Sequence, residues 1–307
     1  MSPTPDLSVR VAGVALDSPI VAAAGTSGHG AELGAYLDLS KIGAVTVKSL
    51  SADPWPGNPA PRVTPVRGGM LNSVGLQGPG VARWREEELP ELAASGAKVI
   101  VSVWGKTVAD FARAAELLCG LGPEVIALEV NISCPNTEDR ARMFAQSPTA
   151  TAEAIDACAA AGLPRWAKLT PAVASIVEIA AAARDAGAAA VTLTNTALGL
   201  AIDLEHRRPM LGGVGGGLSG PALHSIAVRS VFECFQAMPE LPIVGVGGVT
   251  TGEDAIEMMM AGASCVGVGT ATLARPRAIA AITRQLVRWC DHHGVSRVAE
   301  LTGVAHG

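Results

Sequence analysis

Lysine, asparagine and cysteine side chains stand where several short apolar runs of the sequence end. Lys48 and Lys168 each lie at the end of one run, and Asn131 and Cys134 closely follow another. Lysine supplies positive charge, asparagine both donates and accepts hydrogen bonds, and a thiolate in an electropositive pocket can act as a base. If the fold brings these groups together, they predict a lysine-containing pocket in which Cys134 is the base.

The apolar runs that precede these residues are short and continuous. A strand with one exposed face would alternate apolar and polar residues, whereas parallel strands buried on both faces are apolar throughout. We therefore predict eight parallel strands, at Pro19–Ala24, Ala44–Lys48, Lys98–Val103, Val125–Val130, Arg165–Leu169, Ala189–Leu193, Pro242–Val246 and Ser264–Val268.

Helical patterns lie between the later runs. Thr107 is a capping residue for the first of them, and Gly120, Gly162 and Gly187 directly follow three of them, as is common at helix ends. The predicted helices are Thr107–Cys119, Thr149–Ala161, Val173–Ala186, Pro221–Ala237, Glu253–Ala261 and Pro276–His293.

This alternation over 307 residues predicts an α/β fold, a single (β/α)8 barrel. The alternative is a doubly wound open sheet, but the GxGxxG fingerprint expected in its first unit is absent. Leu7–Leu16 predicts an N-terminal hairpin that caps the bottom of the barrel, and the Gly/Pro-rich stretches Ser49–Gly80 and Leu198–Gly220 predict insertions at the mouth of the site. We expect one domain, residues 1–307.

The composition excludes several classes of function. Hydrophobic residues make up 49% and charged residues 17%, which predicts a large buried core, and a net charge of −5 argues against nucleic-acid binding. The longest charge-free stretch, Pro209–Val228, contains six glycines and two prolines and is no membrane span, and Met1–Arg10 lacks the apolar core of a signal peptide. The six cysteines form no CxxC or Cys/His cluster, so we expect a reduced, cytoplasmic protein without a metal site.

The active site of a (β/α)8 barrel lies at the carboxyl ends of its strands, so the residues at these ends are the candidates. Gly247-Gly248 and Gly269-Thr270 follow the last two strands, where barrels often bind phosphate through backbone N–H groups. The other candidates are Ala24-Gly25-Thr26, Lys48-Ser49, Asn131, Cys134, Asn136, Lys168 and Thr194-Asn195-Thr196.

Each feature also has an ordinary structural explanation. A lone lysine at a strand end is often solvated, a glycine pair can form a plain tight turn, and a buried cysteine is usually inert, which we expect of the other five cysteines. Cys134 differs because it lies in a polar loop between Asn131 and Asn136. His29 and His206 lie in loops near the mouth, but we expect both to face solvent, so a Cys/His nucleophile is not supported.

Eight motifs, in order and over essentially the whole chain, resemble those of class 1 dihydroorotate dehydrogenases. Cysteine in the SCPN motif is typical of class 1, whereas class 2 has serine there. The GLQ and NTALGLAID segments resemble most closely the catalytic subunit of the NAD-linked subclass B. The motifs are VKSL (Val47–Leu50), MLNSVGLQ (Met70–Gln77), VNISCPN (Val130–Asn136), AKLTP (Ala167–Pro171), TNTALGLAID (Thr194–Asp203), GGLSGPA (Gly216–Ala222), VGVGGV (Val244–Val249) and VGVGTA (Val266–Ala271).

This resemblance implies FMN as the cofactor and oxidation of (S)-dihydroorotate to orotate, a step of pyrimidine biosynthesis. The residues that it implies for FMN are Ala24, Gly25, Lys48, Ser49, Asn131, Lys168, Thr194, Gly220, Gly247, Gly248, Gly269 and Thr270. Those that it implies for the substrate are Lys48, Asn72, Gly75, Leu76, Asn131, Asn136, Asn195 and Thr196. Amide side chains match the carbonyl and N–H edges of the pyrimidine ring, and Lys48 matches its carboxylate.

The resemblance also implies a mechanism and partners. Cys134 removes a proton from C5, hydride leaves C6 for N5 of FMN, and Lys168 stabilises the negative charge of reduced FMN. The sequence has no cysteine cluster and no nicotinamide-binding βαβ unit. The resemblance therefore implies a homodimer, or a heterotetramer with a partner subunit that carries FAD and a [2Fe–2S] cluster and passes electrons to NAD.

Three positions depart from the usual residues of the family. Ser102 stands where asparagine is common, Gly78 follows GLQ where asparagine is usual, and Ser27 stands where an aromatic residue is frequent. Four alternatives stay open at this point. They are a subclass A enzyme that reduces fumarate, a related flavin barrel for another pyrimidine or specialised metabolite, a non-catalytic flavin-binding subunit, and a barrel isomerase without flavin.

Overall fold

The computed structural model describes residues 4–133 and 143–307 of the chain. Within these residues, eight parallel strands close into a barrel in chain order, and the eighth strand pairs with the first. This confirms the predicted barrel and excludes the open sheet. The strands are β1 (Ile20–Ala22), β2 (Val45–Thr46), β3 (Val99–Val103), β4 (Val125–Asn131), β5 (Arg165–Leu169), β6 (Ala190–Leu193), β7 (Ile243–Val246) and β8 (Cys265–Val268).

Helices surround the barrel, and each of the six predicted helices is present with slightly different ends. Thr107 caps the helix after β3 and Thr251 caps the helix after β7, each in a capping box with an aspartate three residues later. The α-helices are α1 (Val81–Arg83), α2 (Leu89–Ala94), α3 (Val108–Leu117), α4 (Pro148–Ala157), α5 (Ile176–Asp185), α6 (His224–Ala237), α7 (Gly252–Met260), α8 (Thr270–Ala274) and α9 (Ala278–His293).

Short helical turns complete the outer layer, and the connection from β1 to β2 consists of two of them instead of an α-helix. A π-helical segment, Trp84–Glu88, joins α1 to α2. The 3₁₀ turns are Glu32–Ala35, Leu39–Lys41, Phe144–Gln146, Cys158–Ala161, Pro221–Leu223, Val298–Leu301 and Val304–His306. None of the helices in the described ranges is long and apolar enough to cross a membrane.

The predicted N-terminal hairpin is confirmed. Val9–Val11 pairs antiparallel with Val14–Leu16, and Val11 and Leu16 are fully buried in the main hydrophobic core. Burying this apolar pair ties the hairpin to the barrel.

The two Gly/Pro-rich insertions form a sheet over the barrel mouth, which the sequence did not predict. One insertion contributes Val63–Val66 and Gly69–Asn72, and the other contributes Ala197–Gly199 and Gly216–Ser219. These four strands make one antiparallel sheet, called here the mouth sheet. A side chain at Gly69 would overlap the carbonyl of Ser219, so the close approach of the two insertions requires glycine. A further antiparallel ribbon in the second insertion pairs Ile202–Asp203 with Arg208–Pro209.

Candidate active site

The carboxyl ends of the barrel strands open into a cavity of about 910 Å³ that the mouth sheet partly covers. Small-molecule sites have volumes of roughly 300–1,000 Å³, so this cavity is large enough for a cofactor with a substrate beside it. Its wall contains every predicted site residue that the structure describes: Ala24, Gly25, Lys48, Ser49, Asn72, Gly75, Leu76, Asn131, Lys168, Thr194, Asn195, Thr196, Gly220, Gly247, Gly248, Gly269 and Thr270. Cys134 and Asn136 lie outside the described residues, and their roles stay predictions.

Lys48 is the cation at the end of β2. Its backbone N–H donates to the carbonyl of Gly28 at 2.8 Å, which holds the strand end against the loop after β1. Burial lowers the pKa of Lys48, and the positive charges of Lys168 and Arg62 lower it further. An anion that binds Lys48 is therefore attracted by its positive charge and compensates for the solvation that Lys48 has lost.

The amides of Asn131 and Asn195 are fixed by each other and by neighbouring groups. Asn195 Nδ2 donates to Asn131 Oδ1 at 3.2 Å, and Asn131 Nδ2 donates to Ser49 Oγ at 3.1 Å. The backbone N–H of Thr196 donates to Asn195 Oδ1 at 2.7 Å. These bonds orient both amide planes before a ligand arrives, so little rotamer entropy remains to be lost on binding.

Glu129 and Ser102 lie behind this wall, and sequence reasoning missed Glu129. Glu129 Oε1 accepts hydrogen bonds from Lys168 Nζ at 3.3 Å and from Ser102 Oγ at 3.1 Å. The signal was present in the sequence, because Glu129 is a charged residue inside an apolar strand and stands two positions before Asn131. Residues two apart on a strand share a face, so Glu129 belongs with the site residues.

The turn after β7 requires its two glycines. Gly247 and Gly248 have φ angles of +143° and +67°. A Cβ at Gly248 would lie 2.7 Å from the backbone nitrogen of His224, at the start of α6. His224 Nδ1 lies 2.9 Å from the carbonyl oxygen of Gly247, a contact that fixes the turn. The cavity here is bounded by bare backbone, which is the kind of wall that phosphate groups approach closely.

The loop after Asn72 forms the opposite wall. Asn72 Nδ2 donates to the carbonyl of Gly217 in the other insertion at 3.3 Å. Asn58 supports the loop twice, through its backbone N–H to the carbonyl of Val74 at 3.0 Å and through Nδ2 to Ser73 Oγ at 2.8 Å. The predicted substrate loop is therefore held by residues on both insertions.

Two expectations about side chains outside the site were wrong. His29 does not face solvent: it is half-buried, burial and the nearby Lys48 lower its pKa, and its Nε2 lies beside Gly78. A Cβ at Gly78 would lie 3.2 Å from that nitrogen, so the ring occupies the space next to this position, which is usually asparagine in the family that the sequence resembles. Cys119, which we expected to be buried, is exposed because it lies in the turn after α3. His206 is exposed, as expected, and pairs with Asp203 at 2.8 Å.

The other described cysteines agree with the expectation of inert, buried side chains. Cys158, Cys234, Cys265 and Cys290 are buried and free. Burial raises the pKa of the thiols of Cys158, Cys234 and Cys265 to about 12. They are protonated at neutral pH and are poor bases.

Comparison with known proteins adds an independent observation. The family profile described as dihydroorotate dehydrogenase matches residues 6–289. The chain belongs to the dihydroorotate dehydrogenase family. A curated relative from Desulforudis audaxviator is 46% identical over 300 residues, which cover 97% of each chain. Relatives from Geotalea uraniireducens and Pelobacter propionicus are 45% and 43% identical and cover 97% of this chain and 98% of their own. All three are named dihydroorotate dehydrogenase B (NAD(+)), catalytic subunit.

Dihydroorotate dehydrogenases of this class use FMN, and the cavity fits such a group. Thr194 Oγ1 is buried in the wall and has no hydrogen-bond partner among the described residues. Buried hydroxyls are almost always hydrogen-bonded, so a polar bound molecule is needed to complete this part of the wall. The Gly247-Gly248 turn offers bare backbone for a phosphate, and Lys168 offers a buried cation for an electron-rich ring.

Proposed function

We propose that this chain is one FMN-binding barrel domain, residues 1–307, that oxidises (S)-dihydroorotate to orotate in pyrimidine biosynthesis. The observation that carries the proposal is the meeting of Lys48 with the amides of Asn72, Asn131 and Asn195 in one cavity. The product is a planar ring with amide-like edges and one carboxylate. Amides pair with such edges as donors and acceptors, and an ammonium group forms a charge-assisted bond to the carboxylate. The names of the relatives support the same activity.

The residues proposed to hold FMN all line the cavity. Gly220, Gly247, Gly248, Gly269 and Thr270 are proposed for its phosphate end, and Ala24, Gly25, Ser49, Lys168 and Thr194 for its ring and ribityl chain. When bound, FMN supplies the acceptor for the hydride that leaves C6 of the substrate.

The chain's own residues carry the rest of the reaction. Lys48 binds the substrate carboxylate, and the fixed amides of Asn131 and Asn195 orient the ring. Cys134 removes the proton from C5, a role that a thiol performs well because its ordinary pKa of about 8.5 lies close to neutral pH. Lys168 would stabilise the negative charge of the reduced cofactor when it is bound, and preorganised charge of this kind is often the largest catalytic contribution.

The proposal also includes a partner subunit. The relatives are named as catalytic subunits of NAD-linked enzymes, which supports a second subunit for this chain. We propose a homodimer that joins a subunit with FAD and a [2Fe–2S] cluster in a heterotetramer. Exposed apolar side chains on the second insertion provide a surface for a protein contact: Leu198, Leu200, Ile202, Leu204 and Val214 are all exposed. A cytoplasmic location is part of this proposal and is supported by the free thiols of the described cysteines.

Anaerobic titration tests the proposed activity. The purified chain, loaded with FMN, is mixed with dihydroorotate while the visible flavin absorbance is recorded. The expected result is stoichiometric bleaching with formation of orotate, and little bleaching with dihydrouracil, which lacks the carboxylate that Lys48 binds. Equal reduction by both compounds would favour an enzyme for another pyrimidine. Bound flavin that neither compound reduces would favour a non-catalytic flavin subunit.

A further inference from the structure

Glu129 and Lys168 form an ion pair inside the barrel, behind the cavity wall. Their side chains are only 4% and 8% exposed, and Glu129 Oε1 lies 3.3 Å from Lys168 Nζ. Lys168 lines the cavity whereas Glu129 does not. Removing one partner of a buried ion pair leaves an uncompensated charge, so the position of Lys168 and the net charge of the site depend on Glu129.

The carboxylate also sets the direction of a chain of hydrogen bonds. An ionised carboxylate only accepts, so Ser102 Oγ donates its proton to Glu129 at 3.1 Å. Ser102 must then accept from Ser49, whose Oγ lies 2.9 Å away, and Ser49 accepts from Asn131 Nδ2 at 3.1 Å. This order leaves Asn131 Oδ1 as the acceptor for Asn195 Nδ2. Through these bonds the carboxylate of Glu129 orients four side chains: those of Ser102 on β3, Ser49 after β2, Asn131 on β4 and Asn195 after β6.

We propose that Glu129 is a positioning residue of the flavin site, which acts through Lys168 and limits how strongly the site stabilises negative charge on reduced FMN. The inference rests on the proposed function, because it concerns the cofactor of that reaction. With Glu129 ionised, the pair is neutral overall, and the reduced cofactor meets a compensated cation. Without the carboxylate, the same ammonium group acts uncompensated in a region of low dielectric, where charge interactions are strong.

The reduction potential of bound FMN tests this role without relying on turnover. Glu129→Gln keeps the shape and an accepting oxygen but removes the charge. We expect the equilibrium to shift at least tenfold towards reduced FMN, a rise of about 30 mV for a two-electron couple. Glu129→Asp keeps the charge, so we expect its potential to differ from the wild-type value by less than half of the rise in Glu129→Gln. A potential that stays the same or falls in Glu129→Gln would overturn the proposal.

Two controls separate charge from structure. Ser102→Ala breaks the hydrogen-bond chain but leaves the ion pair, so we expect a change in potential smaller than half the rise in Glu129→Gln, and a rise equal to that of Glu129→Gln would refute the charge argument. Glu178→Gln removes a carboxylate from the first turn of α5, outside the cavity wall, and should change nothing.

A double variant keeps the inference testable if Glu129→Gln does not fold. Glu129→Gln combined with Lys168→Met removes both buried charges, a change that proteins often tolerate. If Glu129 acts through Lys168, the potential of the double variant equals that of Lys168→Met alone. A tenfold difference in equilibrium between these two proteins would overturn the proposal. The proposed function itself would instead be refuted if the wild-type protein bound no FMN, or if dihydroorotate did not reduce the bound FMN.

Discussion

The indole Nε1 of Trp55 donates a hydrogen bond to the carbonyl oxygen of Gly75 at 3.0 Å. Trp55 makes two further contacts: a T-shaped contact with the Trp104 ring, with centroids 6.0 Å apart, and a contact with the ammonium group of Lys106, 3.3 Å from its ring centroid. Gly75 and Leu76 both have positive φ angles, of +74° and +63°. Trp55 thus fixes an unusual backbone conformation at the wall of the cavity.

Trp55→Phe is expected to weaken orotate binding while leaving FMN binding unchanged. Phenylalanine keeps an aromatic ring against Trp104 but cannot donate to Gly75. A hydrogen bond of this kind is worth roughly 0.5–1.5 kcal/mol, so the dissociation constant should rise by about twofold to tenfold. Spectral titration of the FMN-loaded protein with orotate measures it. Trp289→Phe, on α9, is the matched control, and an orotate affinity equal in both variants would show that the bond to Gly75 is unimportant.

Cys134→Ala is expected to slow reduction of bound FMN by dihydroorotate about 10²–10⁴-fold, the usual contribution of a general base. Orotate and FMN should still bind, because the variant removes only the base. Cys134→Ser should also be slow at neutral pH, since an alcohol holds its proton far more tightly than a thiol. Rapid-mixing absorbance gives the rates, and Cys119→Ala, at an exposed thiol, is the control. Wild-type rates in Cys134→Ala would exclude this residue as the base.

Lys48→Ala is expected to weaken orotate binding far more than uracil binding, because only orotate carries the carboxylate. A hydrogen bond to a charged group contributes about 1.5–3 kcal/mol, so the loss for orotate is roughly 10-fold to 150-fold. Competition titrations with the two ligands provide the comparison. If both ligands lose the same affinity, Lys48 does not recognise the carboxylate.

We expect orotate affinity to fall at a lower pH than it would if Lys48 had the usual pKa of a lysine. Burial and the nearby cations lower the pKa of Lys48 below its usual 10.5, and the charged form exists only below the pKa. The contribution of Lys48 to affinity is therefore fully present well below this lowered pKa and is lost as pH rises through it. In Lys48→Arg the guanidinium stays protonated, so this part of the pH dependence should disappear. Identical pH profiles for the two proteins would contradict the assignment.

The isolated chain is expected to pass electrons from dihydroorotate to artificial dyes or oxygen but to reduce NAD poorly. Metal-binding cysteine motifs and a nicotinamide-binding unit are absent from the sequence. Addition of a subunit with FAD and a [2Fe–2S] cluster should restore NAD reduction. Steady-state assays of the lone chain with NAD and with fumarate decide the matter. Fast NAD reduction without a partner would refute the proposed subunit, and fast fumarate reduction would indicate a subclass A enzyme.

The barrel was predictable because its signals are local. Runs such as Pro242–Val246 and Ser264–Val268 contain no charged residue on either face, and residues such as Thr107 mark the helix starts between the strands. The convergence of Lys48, Asn131 and Asn195 followed from the fold, since parallel strands of a barrel end at one rim.

The mouth sheet and the ion pair were not predictable in the same way. The sequence predicts loops at Gly69–Asn72 and Gly216–Ser219 because both segments contain glycine. In the structure these glycines allow two strands from distant segments to approach closely, a requirement that is visible only in three dimensions. Glu129 lies within a strand that is otherwise apolar, but its partner Lys168 is on the next strand. Glu129 and Lys168 come within reach of each other only because the two strands pair with Asn131 opposite Lys168.

The mouth sheet has a consequence for how such a chain can be altered by recombination. Its central contact joins Asn72 to Gly217, 145 positions apart, so the two halves of the mouth are encoded in widely separated parts of the gene. A crossover between them would combine a first insertion from one parent with a second insertion from another, and their strand pairing would depend on both parents having the same register. Chimaeras and directed-evolution libraries that aim at a new substrate should therefore exchange both segments together.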